Sequence, residues 1–288
     1  MTGADDDFAA ERPRLLGLAY RILASYSDAE DVVQEAWIRW QGVARDQVEQ
    51  PAAYLTTVVT RLALDRSRAI ARRRQQYVGP WLPEPVAIER GPEEHAEMAE
   101  SLTLGFLILL DRLKPTERAI WLLADVFGEP YTLISQATGK SAVACRQIAT
   151  RARRRLQEER PAPPERLQPE LLERLMAAVA TGDLAQTLDL LDTDVVLLSD
   201  GGPNHRAARR PVVGADRVAR FVLNLARRGK VTAVEAAELN GSAALVVELD
   251  NRPALVITGE QRNGKVSQVY LLVNDTKLAA ISSQPVIY

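Results

Sequence analysis

The sequence predicts a multidomain fold: two all-α domains, the second built on a helix-turn-helix, followed by a C-terminal α+β domain. Three observations carry this prediction. Four prolines fall between Pro80 and Pro92, and four more between Pro161 and Pro169. Proline withholds a backbone donor and biases the preceding residue away from helix, so both clusters read as linkers. Before the second cluster, apolar residues recur every three or four positions, as on one helix face. After it, apolar runs are separated by Asn-Gly and Asp-Asn turns, as in antiparallel sheets. The expected divisions are residues 1–77, a linker at 78–92, residues 93–160, a linker at 161–168 and residues 169–288.

Composition excludes several function classes. At 47% hydrophobic, 26% charged and a net charge of −2, the 288 residues have a globular balance. One cysteine and two histidines exclude a disulfide framework and a Cys/His zinc site. The most apolar stretch, Leu102 to Leu110, is too short to span a bilayer. The acidic N-terminus has no apolar signal region, so no export and a cytoplasmic chain are expected; separately, no cofactor or metal is expected. Basic residues balance acidic ones overall, but they cluster in two runs, Arg61 to Arg74 and Arg146 to Arg155. Such clusters suit local contact with a polyanion, and equally a solvated helix face.

In the first division, Ser27-Asp28-Ala29-Glu30 has capping-box spacing, which predicts a helix from Asp28 to Trp40. Val33, Ala36, Trp37 and Trp40 share its core face. Asp31, Gln34, Glu35 and Ile38 share the opposite face, either solvated or a partner surface. A second helix starts near Pro51 and buries Leu55, Val59, Leu62, Ala63 and Ile70. Its other side carries Tyr54, Thr57, Arg61, Arg68 and Arg72, which can stack on bases and hold phosphates.

In the second division a helix opens at Leu113 to Thr116 and runs to Phe127, and a short one spans Tyr131 to Thr138. Gly139 suits the left-handed turn, and Ser141 caps the last helix, Ala142 to Gln157. Cys145, Ile148, Ala149, Ala152 and Leu156 face its core. Arg146, Gln147, Thr150, Arg151, Arg153 and Arg154 face outward, where Arg and Gln can read base edges.

The third division begins with a helix at Pro169 to Thr181 and carries a second at Ala215 to Arg228, among five β-rich runs. Asp200, His205 and Asp275 are its candidate acid–base groups. Asp200-Gly201-Gly202 also reads as a plain turn, and His205 as a loop residue.

These residues resemble the extracytoplasmic-function (group IV) sigma factors of bacterial RNA polymerase. Asp28-Ala29-Glu30-Asp31-Val32-Val33-Gln34-Glu35-Ala36-Trp37 and Ala52-Ala53-Tyr54-Leu55 look like sigma region 2. Gly139-Lys140-Ser141 with Arg151-Ala152-Arg153-Arg154-Arg155-Leu156 looks like region 4. Tyr77-Val78-Gly79-Pro80-Trp81-Leu82-Pro83-Glu84-Pro85, Asp200-Gly201-Gly202 and Asn274-Asp275-Thr276-Lys277-Leu278 resemble motifs of the subgroup with a SnoaL-like C-terminal domain, a cone-shaped α+β fold with a pocket.

The resemblance implies roles. Asp31, Gln34, Glu35 and Ile38 would dock on core polymerase. The loop Gln41 to Gln50 would capture a flipped base, and Tyr54, Thr57, Arg61, Arg68 and Arg72 would track the minus-ten strand. Ser141, Arg146, Gln147, Thr150, Arg151 and Arg154 would contact the minus-thirty-five element. Trp81 to Pro85, Asp200, Gly201, Gly202, Asn274, Asp275, Lys277 and Leu278 would carry regulatory contacts. The partners implied are core polymerase and promoter DNA, with a small-molecule ligand possible in the C-terminal pocket and a monomeric chain. Two other functions stay open: a ligand-sensing helix-turn-helix regulator acting without polymerase, and a SnoaL-like cyclase or isomerase with a DNA-binding appendage.

Overall fold

The computed structural model describes residues 3–44, 48–75, 77–87, 102–159, 165–205, 207–228, 231–249 and 252–281. Part of the Gln41 to Gln50 loop, the ends of both linkers, the Asp-Asn turn and the tail after 281 lie outside the described residues. Among the described residues, seven helices come first: α1 (Gly3–Leu23), α2 (Tyr26–Gln41), α3 (Pro51–Gln75), α4 (Leu104–Leu110), α5 (Pro115–Trp121), α6 (Tyr131–Thr138) and α7 (Ala142–Glu159). The helix expected to reach Phe127 does so by widening after α5 into a π-helical turn, Leu122–Val126.

The expected cap at Ser27 is corrected. The N-cap is Ser25, and α2 starts at Tyr26. The reason is not local. The carboxylate of Glu84 accepts from the amides of Tyr26 (2.7 Å) and Ser27 (3.0 Å), satisfying donors that a helix start leaves open. Gly139 takes the left-handed conformation, with φ +69°, and Ser141 accepts from Ala144 N at 3.2 Å, capping α7 as expected.

The two helical regions share one hydrophobic core. Leu18, Trp40, Leu55 and Val59 of α1–α3 belong to the same cluster as Leu107, Ile120, Ile134, Cys145 and Ala149 of α4–α7. Arg118 crosses this junction while buried. Its guanidinium donates to the carbonyls of Ile22 (2.9 Å) and Leu110 (3.0 Å) and pairs with Asp111. Burial lowers the Arg118 pKa, and the Asp111 carboxylate opposes that shift.

The C-terminal domain contains α8 (Pro169–Thr181), α9 (Leu184–Leu190), α10 (Ala215–Arg228) and α11 (Asp275–Ile281). Its strands are β1 (Glu165–Arg166), β2 (Leu191–Asp200), β3 (Val212–Val213), β4 (Ala233–Leu239), β5 (Ser242–Leu249), β6 (Arg252–Arg262) and β7 (Lys265–Leu272). The sheet order is β3-β2-β7-β6-β5-β4, with β1 pairing β6. All pairs are antiparallel except β2 with β7. The Asn240-Gly241 and Asn263-Gly264 turns have positive φ at both residues, as two-residue hairpins require.

Period-two alternation sorts the sheet into two faces. Leu245, Val247, Ile257, Val269 and Leu271 face α8, α9 and α10. Ala244, Val246, Val256, Tyr270 and Leu272 line the other face, and there Leu82 and Leu104 pack against them. This second face of the sheet is therefore covered by the chain's own linker and α4. No space for a water-sized molecule remains between Leu104, Gly105, Leu239, Ser242, Thr258, Glu260 and Tyr270.

Candidate functional site

The linker Tyr77 to Val86 is gripped from both sides. From the C-terminal domain, Asp200 Oδ2 accepts from Leu82 N at 2.9 Å, and Oδ1 accepts from the Tyr77 hydroxyl. Lys277 Nζ donates to the Leu82 carbonyl and to Asp200 Oδ2, the latter at 2.7 Å, and lies 4.0 Å from the Trp81 ring centroid. Asn274 Nδ2 donates to the Tyr77 hydroxyl at 2.8 Å. Leu278 shares the apolar cluster with Leu82. Asp200 and Lys277 are 0% and 2% exposed, so this is a buried ion pair whose lone pairs and protons are met by the linker backbone. Burial lowers the Lys277 pKa, and the adjacent Asp200 carboxylate partly offsets it. The Tyr77 hydroxyl is held above its ordinary value by burial, then by Asp200.

Gly202, with φ +60°, is a glycine for a steric reason as well. A Cβ there would stand 2.8 Å from Asn274 Cγ. Asp275 points elsewhere, to His205 Nε2 at 2.6 Å, and both side chains are exposed. Of the three acid–base candidates, Asp200 is thus committed to the linker, and the His205–Asp275 pair lies on the surface.

From the other side, Glu84 caps α2, and its carboxylate also accepts from Ser25 Oγ at 3.0 Å. Its carbonyl accepts from the buried Tyr20 hydroxyl, whose pKa burial raises. Pro83 and Pro85 are buried beside it. Asn240, at the β4–β5 turn, completes a three-way junction. It exchanges two hydrogen bonds with the Val86 backbone (2.8 and 2.9 Å) and donates to Tyr20 Oη (3.0 Å) and Leu102 O (2.7 Å). Tyr77 stood in the linker motif without a role of its own, and Asn240 is the residue that sequence reading missed. A buried partner is invisible in an Asn-Gly pair that already explains itself as a turn.

On α2, Asp31, Gln34, Glu35 and Ile38 are all exposed, Ile38 at 61%. Asp31 pairs with Arg66 at 2.9 Å and Glu35 with Arg39 at 2.7 Å. Beside them a groove of about 570 Å³ runs between α1 and α2, lined by Phe8, Arg12, Glu30, Val33 and Trp37 among others. Trp37, expected in the core, is only partly buried and packs on Phe8 at 4.9 Å between ring centroids.

On α3, Arg68 and Arg72 are exposed, while Tyr54 and Thr57 are half-buried. Tyr54 leans on Trp40, with centroids 5.7 Å apart. Arg61 donates to the Gln136 carbonyl of α6 at 2.7 Å, so the start of this face is tied to the helix-turn-helix. On α7, Ser141, Arg146, Gln147, Thr150, Arg151 and Arg154 are exposed. Arg153, placed on the outward face by periodicity, is half-buried and bonded to Asp125 at 2.6 Å.

Among the described residues, no helix is long and apolar enough to cross a membrane. The Sigma-70 region 2 family matches residues 8–74. The chain is 37% identical to the ECF RNA polymerase sigma factor SigJ of Mycobacterium tuberculosis, over 94% of this chain and 92% of that one. It is 31% identical to the probable ECF RNA polymerase sigma factor SigI of the same organism, over 96% and 94% of the two chains. The crystal structure of M. tuberculosis SigJ superposes with a TM-score of 0.76 at 32% identity, covering 97% of this chain and 99% of that one. With this identity along nearly its whole length, the chain belongs to the extracytoplasmic-function RNA polymerase sigma factors.

Proposed function

We propose that the chain directs core RNA polymerase to specific promoters, and that its own C-terminal domain regulates this by gripping the linker. The observation that carries the reading is the pairing on one chain of an exposed acidic α2 face with two basic helices, α3 and α7, joined through the clipped segment Tyr77 to Val86. Asp31, Gln34, Glu35 and Ile38 would dock on polymerase. Tyr54, Thr57, Arg61, Arg68 and Arg72 would follow the melted minus-ten strand by stacking and phosphate contact. Ser141, Arg146, Gln147, Thr150, Arg151 and Arg154 would lie along the minus-thirty-five major groove. The divisions at 1–77, 93–160 and 169–288 would be the units that move apart. The protein would act in the cytoplasm and carry out no chemistry of its own.

Two features support the regulatory part. Tyr54, Thr57 and Arg61 are half-buried or bonded to neighbouring elements, so this end of the strand-reading surface is not fully open. The linker that joins the two promoter-reading regions is held by Asp200 and Lys277 on one side and by the α2 N-terminus on the other.

The test is core capture. Asp31→Lys with Glu35→Lys is expected to lower retention on immobilised core polymerase at least tenfold, while leaving the folded chain intact, since both side chains are exposed. Retention equal to wild type would remove this face from the polymerase interface.

A further inference from the structure

The C-terminal domain is strongly polar in its charge. Residues 203–230 carry eight Lys and Arg against one Asp, whereas the remaining residues of 169–288 carry five against thirteen Asp and Glu. The basic part is built around α10. At 100° per residue, Arg217, Arg220, Asn224, Arg227 and Arg228 fall within one stripe of about 100°. All five are exposed. Asp216 accepts from Arg220 at 2.9 Å through both oxygens, and it is the one acid on the helix. From Arg217 to Arg228 the stripe runs about 16 Å, the span of roughly five phosphates along one DNA strand.

We propose that this stripe is a phosphate-binding surface through which the C-terminal domain contacts duplex DNA without reading its sequence. The opposite face of α10 is already used: Val218, Ala219 and Leu223 are buried, and the helix packs on β2 and α9. A lipid surface would need that apolar face, so charge alone is on offer, and this suits a rigid polyanion. The loop leading to α10 lies on the linker, where a Cβ at Gly79 would stand 3.5 Å from Arg209 Cα. Arg209 and Arg210 are exposed there, a few residues beyond the basic end of α3, where Arg72 and Arg73 are exposed. The stripe itself does not depend on the reading of α3.

The test uses the full chain and fluorescent duplex DNA of arbitrary sequence, titrated at rising KCl. The variant combines Arg217→Gln, Arg227→Gln and Arg228→Gln, leaving the Arg220–Asp216 pair in place. A control removes the same charge from the acidic side of the domain, by Arg174→Gln, Arg262→Gln and Lys265→Gln. If all three arginines touch phosphate, the slope of log affinity against log salt falls by about 2–3 for the variant. The control keeps at least the larger part of the wild-type slope. Equal slopes for variant and control would overturn the proposal. An equal loss on vesicles of anionic phospholipid would overturn it too, reassigning the surface to a membrane. Core capture, measured in parallel, separates the two readings. Loss of the DNA slope with no core capture by wild type sinks the sigma-factor reading alone, and intact capture with an unchanged slope sinks this one alone.

Discussion

Asp200→Ala is expected to release the linker and destabilise the junction by about 3–5 kcal/mol. The substitution strands the buried Lys277 ammonium and removes the acceptor for Leu82 N and the Tyr77 hydroxyl. Denaturant unfolding reads the cost, and limited proteolysis between residues 77 and 87 reads the release. The double variant Asp200→Ala with Lys277→Met removes the stranded charge. It is expected to recover stability while the linker remains cleavable, which separates a buried-charge penalty from loss of the clip. If the Asp200→Ala linker resists protease as wild type does, the C-terminal domain does not hold it.

The second large effect is at the opposite end of the clip. Glu84→Ala takes the acceptor from Tyr26 N, Ser27 N and Ser25 Oγ in a buried site. A hydrogen bond to a charged group is worth about 1.5–3 kcal/mol, and the donors left behind are poorly placed to find water. The first turn of α2 is expected to lose at least tenfold in hydrogen-exchange protection, measured at the Tyr26 and Ser27 amides, while the amides of α7 keep theirs. Unchanged protection at Tyr26 would mean that Ser25 alone caps the helix. Because α2 bears the proposed polymerase face, the same variant tests whether linker release reaches that face.

Much of the architecture was legible because it is locally encoded. Gly139 and Ser141 set the helix-turn-helix bend by their own backbone and side-chain preferences. The Asn-Gly pairs did the same for two hairpins, and the period of three and four placed α10 to the residue. What was not legible depends on partners far along the chain. Ser27 has good capping spacing, yet Glu84, 57 residues later, moves the cap to Ser25. Arg153 falls on the outward side of α7 by periodicity, yet Asp125 draws it in. The shared core of α1–α7 has no sequence signature, since each helix needs only one apolar stripe whatever it packs against. Within the candidate site, the motifs around Leu82, Asp200 and Lys277 stood out as motifs, but their mutual contact required the fold. Tyr54 shows the limit of face assignment: the same ring that could stack on a base is half-buried against Trp40.

On the proposed reading, the two promoter-reading regions are held together in the free chain and separate when polymerase and promoter are bound. Asp65 and Glu158 are exposed positions on α3 and α7, and the single cysteine, Cys145, is buried, so Asp65→Cys with Glu158→Cys allows selective spin labelling. The interlabel distance is then measured by pulsed electron resonance in the free chain and in the complex with core polymerase and promoter DNA. One short distance in the free chain, replaced by a longer one in the complex, is the predicted result. A distance that stays the same in a complex that transcribes would show that the closed arrangement is the working one and that the regions do not separate.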